Sequence, residues 1–266
     1  TGLFSSASMV GATLAPLMVP AITLAWGWEM AFIVTGAIGL VWLIAWHLIY
    51  RAPENHPRVN AAELAYIKSD PVEPSGRVSW MELLSHKETW GYMIAKFASD
   101  PVWWFYLYWL PKFLDTNYGV SLAGLAAPLV VVYLVSDFGS IAGGWTSGFF
   151  LRRGWSLNKS RKIAMLIGAC MAVPTMFAPQ VNGMWTAVIL VSMAAAAQQW
   201  WSANLFTTVS DMFPRQAVAS VVGLGGFVGG LTAGVFQRLT RIILEATNSN
   251  YTIIFIWCGM GYLIGL

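Results

Sequence analysis

Two ionisable residues lie inside an apolar stretch of the chain and are the first candidates for chemistry. Lys96 and Asp100 stand one helical turn apart in the stretch 90–111, close to Trp103, Trp104 and Tyr108. Ionisable side chains well inside a membrane span normally face the bundle interior or a cavity. An ammonium group beside aromatic rings and hydroxyls suits an acidic, polyhydroxylated solute, because the cation can meet a carboxylate. These five residues are predicted to bind substrate.

The spacing of this stretch adds two expectations about its helix. Lys96, Asp100, Trp104 and Tyr108 recur every four residues and are expected on one side. Pro101 removes a backbone donor, which predicts a kink or local unwinding beside the charges. A second interpretation is that the two charges only neutralise each other. The long side chain of Lys96 could also extend its ammonium group to the membrane surface.

A second polar run lies in the stretch 183–210. Gln199, Ser202, Asn204 and Phe206 are its candidates for substrate binding. Their amides and hydroxyls could contact sugar hydroxyls, or could simply bond to neighbouring helices. The polar positions surround the helix, so periodicity does not choose between these two interpretations.

A conformational latch is predicted from Asp137, Gly143, Gly144, Arg152 and Arg153. The glycines allow close helix approach, and the basic residues can bind the carbonyl ends of neighbouring helices. Asp137 is embedded in its span, where either a proton site or a structural hydrogen bond would explain it.

Glycines recur in the stretch 216–244 and predict a seam for tight helix packing. The main series is Gly226, Gly230 and Gly234, with Gly225 and Gly229 offset by one residue. Such seams are common in membrane bundles and do not identify a substrate.

Other kinds of site are not indicated by the sequence. The three histidines lack partners at metal-ligand spacing, and both cysteines lie in apolar stretches. There is no nucleotide-binding loop and no nucleophile motif. We therefore expect no enzyme activity, no cofactor and no metal.

The composition indicates which kind of structural element carries these residues. Among 266 residues, 57% are apolar and 10% are charged, whereas soluble domains carry about 25% charged residues. A net charge of +3 is too small to indicate a nucleic-acid partner. Apolar stretches of about 20 residues suit transmembrane helices. They are predicted at 2–24, 28–50, 90–111, 123–150, 162–181, 183–210, 216–244 and 250–266, the last cut short. The sequence thus predicts an all-α integral membrane protein surrounded by lipid.

The distribution of basic residues predicts its orientation. Most of the 15 lysines and arginines fall in 51–89, in the 151–162 region and at Arg215. These connections are expected on the cytoplasmic side. Within 51–89, Asn60 is expected to cap a short helix that runs to Lys68.

Several stretches resemble a known transporter family. The Gly143-Gly144-Trp145 and Arg152-Arg153-Gly154 loop resembles the second-half loop signature of the major facilitator superfamily. Further stretches resemble its anion:cation symporter family, close to the hexuronate transporters. They are 2–8, 28–36, 53–58, 99–105 and 201–215.

The resemblance implies a twelve-helix fold in two halves, of which this chain would hold helices five to twelve. Residues 1–50 would be the last two helices of the N-terminal half, 51–89 the central cytoplasmic loop, and 90–266 the C-terminal half. The chain starts at Thr1 and stops in an apolar run, so we expect it to be part of a longer protein. Lys96 would lie on helix seven and Gln199 on helix ten, both of which line the family's central cavity.

The function implied is import of a sugar acid, such as glucuronate or galacturonate, by proton symport with alternating access. A monomer in the bacterial inner membrane is expected. Two alternatives remain open at this point. One is a permease for another organic anion, namely an aldonate, tartrate or an aromatic carboxylate. The other is a transporter-like membrane sensor that binds its ligand without moving it.

Overall fold

The structure is a computed structural model that describes residues 2–69 and 78–266, with side chains from Val10 onward. Within these ranges it is helical and contains no strand, as the composition predicts. The α-helices are α1 (Gly2–Trp26), α2 (Trp28–Ile49), α3 (Ala61–Ile67), α4 (Trp80–Ser85), α5 (Lys87–Tyr118), α6 (Ala126–Arg152), α7 (Leu157–Ala172), α8 (Met184–Met212), α9 (Arg215–Ala246) and α10 (Thr252–Ile264). Short 3-10 segments at Leu122–Leu125 and Val173–Gln180 precede α6 and extend α7.

Four helical stretches are both long enough and apolar enough to cross a membrane: Trp28–Ile49, Leu122–Arg152, Leu157–Gln180 and Arg215–Ala246. Two shorter apolar helices, Val10–Trp26 and Thr252–Ile264, accompany them. At 32 and 29 residues, α5 and α8 also have the length of a span, although both contain the polar runs described above. The prediction of a multi-pass helical membrane protein is confirmed.

α5 is longer than its predicted apolar stretch and is not interrupted. It continues through both Pro101 and Pro111 and ends at Gly119, whose φ of 65° is left-handed. Of the kink or local unwinding expected at Pro101, the unwinding does not occur. A proline removes one hydrogen bond, but Pro101 is buried and the turns on either side pack against other helices, which keeps the helical path.

The chain divides into two compact units. The smaller one contains the C-terminal part of α1, α2 and the polar segment that follows. Gly27, with φ 91°, separates α1 from α2. The Asn60 side chain accepts a 2.8 Å hydrogen bond from the Glu63 amide, which confirms the predicted cap of α3. Part of the predicted 51–89 connection, including Arg77, lies outside the described residues.

The larger unit contains α4 to α10, whose most extensive contacts join α6 to α8 and α5 to α9. Its largest buried side chains include Trp201, Phe105, Phe113 and Phe255. α6 lies very close to α8, because a Cβ added at Gly139 would overlap the backbone of Ala196. Small residues thus set the distance between these helices.

Only part of the predicted glycine seam of α9 packs closely against a neighbouring helix. Gly225 and Gly229 are buried against α5, whereas Gly226, Gly230 and Gly234 are exposed and have open space beside them. One residue along a helix turns the face by about 100°. The series that the sequence placed second therefore packs against α5.

Replacing Gly139 by alanine should destabilise the larger unit. The added methyl group would meet main-chain atoms of Ala196, which cannot rotate away, so α6 and α8 would have to separate. Overpacking of this kind costs about 1–3 kcal/mol. Gly148→Ala, on the same helix, would place its methyl at ordinary contact distance from Arg152 and should keep or slightly raise stability, because alanine favours a helix more than glycine does. Thermal unfolding in detergent measures both, and equal melting temperatures would contradict the close contact.

Candidate functional site

Lys96 and Asp100 form a buried ion pair within α5. The Lys96 Nζ lies 2.7 Å from the Asp100 Oδ2, and the two side chains are only 9% and 15% exposed. The helix places them together because residues four apart are neighbours on its surface. The interpretation in which the two charges neutralise each other therefore describes the structure, and Lys96 does not extend to the surface.

An aromatic ring of another helix, α8, lies against the Lys96–Asp100 pair. The Lys96 ammonium lies 4.9 Å from the centre of the Phe206 ring, which belongs to α8 and is 38% exposed. A cation over an aromatic face is attracted to it, most strongly where water is excluded. Tertiary folding thus joins three predicted site residues, Lys96, Asp100 and Phe206.

α9 fits around the pair by having no side chain at two positions. A Cβ at Gly229 would overlap the Asp100 carboxylate, and one at Gly225 would overlap the ring of Tyr92. Tyr92 is buried one turn before Lys96, and its hydroxyl has no hydrogen-bond partner among the described residues. The α5–α9 contact therefore holds the carboxylate against backbone.

The aromatic residues of α5 do not all share the face of the ion pair. Trp104 and Tyr108 stack with ring centres 5.7 Å apart, and Tyr108 is exposed. Trp103 instead contacts the ring of Tyr133 on α6. Each four-residue step turns by about 40° beyond a full circle, so Lys96 and Tyr108 point about 120° apart. The expectation that the whole series lies on one side is wrong, while the substrate contacts of Trp103, Trp104 and Tyr108 remain predictions.

The polar residues of α8 separate into different surroundings. Asn204 is buried, and its amide donates 3.0 Å bonds to the carbonyls of Gly143 and Trp200. Gln199 is buried, and Ser202 is half-buried. Asn204 thus serves helix packing in this structure. A role in substrate binding for these three residues remains a prediction.

The residues of the predicted latch lie along α6. Gly143 packs closely against Trp200, while Gly144 has open space beside it. Arg152 is exposed, and Arg153 lies 4.3 Å from the centre of the Phe149 ring. Asp137 is half-buried, and its Oδ1 has no hydrogen-bond partner in the described part of the chain.

A different arginine links helix ends in this region. The Arg161 Nε lies 2.8 Å from the Asp211 Oδ2, and its Nη1 donates to the Ser147 hydroxyl, also at 2.8 Å. The three residues come from α7, α8 and α6. A single guanidinium therefore connects three helices, because its donors point in different directions.

The sequence is covered over residues 1–236 by the model of the Major Facilitator Superfamily. The chain belongs to this superfamily. The helical bundle and its close glycine contacts agree with the match. Membership in a transporter family also supports the expectation that the protein is not an enzyme.

Sugar-acid transporters are among its relatives. The chain is 31% identical to a hexuronate transporter of Escherichia coli (strain K12) over 92% of its length. It is 28% identical over 97% of its length to a probable L-galactonate transporter of the same strain. A galacturonate transporter of Dickeya chrysanthemi is 31% identical over 74% of the chain. The chain spans 58% of the length of each of these relatives.

Some residues at these sites were not singled out from the sequence. Tyr92 extends the four-residue series of Lys96 and Asp100 by one turn, so the spacing could have revealed it. Arg161 and Asp211 are 50 positions apart and carried no local signal of their pairing. No group of three or more potential metal ligands occurs in the described ranges.

Replacing Arg161 by alanine should weaken the bundle by about 2 kcal/mol, the scale of hydrogen bonds to charged groups. Asp211 and Ser147 would then lose their shared partner. Lys162→Ala is the matched control, because that exposed side chain is the neighbouring cation on α7. Thermal unfolding in detergent should show a lower midpoint for Arg161→Ala alone. A similar decrease of the midpoint in both variants would mean that the loss of a positive charge on α7, rather than the loss of the three-helix contact, lowers stability.

Proposed function

We propose that the full-length protein imports a sugar acid, a hexuronate such as glucuronate or galacturonate, by proton symport across the bacterial inner membrane. The observation that carries this proposal is the Lys96 ammonium, held between Asp100 and a partly exposed Phe206 inside an apolar bundle. Such a cation provides a counter-ion for a carboxylate where few others exist. The names of the relatives support sugar acids as the substrate class.

The domain organisation is part of the same proposal. α5 to α10 would form the C-terminal six-helix half, and α1 and α2 would be the last two helices of the N-terminal half. The two halves of the full-length protein would rock about a site at the midplane to give alternating access. The protein would act as a monomer.

In the proposed site each group has a distinct task. Lys96 would pair with the substrate carboxylate, and the stacked rings of half-buried Trp104 and exposed Tyr108 would contact the sugar ring. Gln199 and Ser202 would contact its hydroxyls from α8. Asp137, Gly143, Gly144, Arg152 and Arg153 would form the latch that changes with the conformation.

A second candidate within transport is a permease for an aldonate. The relative named as a probable L-galactonate transporter, which matches 97% of the chain, favours keeping it. Hexuronates and aldonates both offer one carboxylate and several hydroxyls, so the same cation serves either. A competition panel of glucuronate, galacturonate and galactonate would rank the two substrate classes.

Removing the charge of Lys96 should abolish high-affinity transport. In full-length protein reconstituted into liposomes, we expect Lys96→Gln to weaken sugar-acid uptake at least about 100-fold, the effect of losing about 3 kcal/mol. Lys96→Arg keeps the charge and should retain part of the activity. Lys112→Gln, which removes an exposed cation of the same helix, is the matched control.

Two outcomes would count against this proposal. Unchanged uptake kinetics in Lys96→Gln would show that another group meets the carboxylate. Saturable binding of sugar acids without counterflow in the wild-type protein would instead identify a membrane sensor.

A further inference from the structure

We propose that Asp100 competes with the substrate carboxylate for Lys96, and that Asp100 takes up the proton that accompanies the substrate. This inference rests on the proposed function and assigns its coupling site. It gives Asp100 a role different from direct contact with the sugar.

Lys96 already has an anionic partner in the structure. Its ammonium lies 2.7 Å from Asp100, so a substrate carboxylate that pairs with Lys96 must share it with Asp100 or displace it. The ammonium would stay beside Phe206, because the lysine stem is fixed in α5. Substrate binding therefore amounts to an exchange of anions at one cation.

The surroundings of Asp100 determine how favourable its displaced carboxylate would be. On its own helix Asp100 pairs with Lys96, and two buried tyrosines, Tyr92 of α5 and Tyr262 of α10, lie within electrostatic range of it. α9 offers the backbone at Gly229, and α8 contributes Phe206 beside the ammonium. Lys96 is the cation paired with Asp100 in the described structure. Once the substrate carboxylate has replaced Asp100 at Lys96, Asp100 would be a buried anion without a counter-ion, which is strongly unfavourable.

The balance of charge at the site sets the number of protons that accompany each substrate molecule. The Lys96–Asp100 pair is neutral, and a sugar acid with one carboxylate brings one negative charge. Uptake of one proton from the aqueous side forms an O–H bond at the Asp100 carboxylate and restores neutrality. Lys96 keeps its own proton throughout. The site therefore predicts one proton for each monoanion and an electroneutral transport cycle.

Two buried tyrosine hydroxyls within electrostatic range of Asp100 fit this exchange. Neither Tyr92 nor Tyr262 has a hydrogen-bond partner for its hydroxyl among the described residues. A protonated carboxyl group is both a donor and an acceptor, whereas a carboxylate only accepts. A tyrosine hydroxyl can donate to a carboxylate and can accept from its protonated form, so hydroxyls suit a carboxyl group that changes its protonation state.

The test compares Asp100→Asn with the wild type in the full-length protein reconstituted into liposomes, with glucuronate as the probe. Asparagine resembles protonated aspartate in shape and charge. We expect Asp100→Asn to retain glucuronate counterflow and to lose accumulation driven by an inward proton gradient. In the wild type, glucuronate affinity should fall by up to about tenfold for each pH unit above the pKa of Asp100. In the variant it should be independent of pH.

The control is Asp115→Asn, which removes an exposed carboxylate from the same helix and should keep proton-driven accumulation. Asp100→Glu tests the site if the asparagine variant does not fold, because it retains a proton acceptor and should retain pH-dependent binding. In the wild type, an imposed membrane voltage should not change the accumulation of glucuronate.

The outcomes separate the two proposals. A wild-type protein without counterflow of any sugar acid contradicts the proposed function itself. Normal counterflow together with full proton-driven accumulation in Asp100→Asn overturns the role of Asp100 and leaves sugar-acid transport intact. Accumulation that follows the voltage in the wild type overturns the charge balance.

Discussion

A lysine ammonium inside an apolar helix bundle needs an anion beside it, and this requirement organises the larger unit of the protein. Lys96 meets it within one turn of its own helix, through Asp100. Because the two residues are one turn apart, the pair needs no other helix to bring its charges together. The neighbouring helices then have to accommodate a charged pair rather than create one, and they do so with a ring on one side and bare backbone on the other.

The need to pack against the ion pair explains which residues α9 and α8 place beside it. α9 brings Gly229 against the carboxylate, where any side chain would collide with it. α8 brings the Phe206 ring over the ammonium, which shields the cation without neutralising it. Phe206 is still partly exposed. A buried pair with one partly open side is suited to exchanging one partner for a solute anion.

Close packing elsewhere in the larger unit leaves its polar contacts at defined places. α6 and α8 approach until Gly139 meets the backbone of Ala196, and Asn204 then bonds across to the carbonyl of Gly143. At one end of the same helices, Arg161 joins Asp211 and Ser147. The contact between the helix interiors relies on small side chains and an amide, while the contact between helix ends relies on charge. Only the second depends on an ion pair, which can exchange partners.

Composition and apolar periodicity were enough to predict a multi-pass helical protein, because lipid requires backbone groups to be satisfied within each span. They also located Lys96 and Asp100, since ionisable residues are conspicuous in apolar stretches and a four-residue spacing fixes their contact. They could not decide which glycines of α9 pack, because a change of one residue selects another face. Nor could they pair Arg161 with Asp211 or bring Phe206 to Lys96. Those contacts join helices distant in sequence, and their partners depend on how the helices rotate and approach, which only the tertiary structure decided.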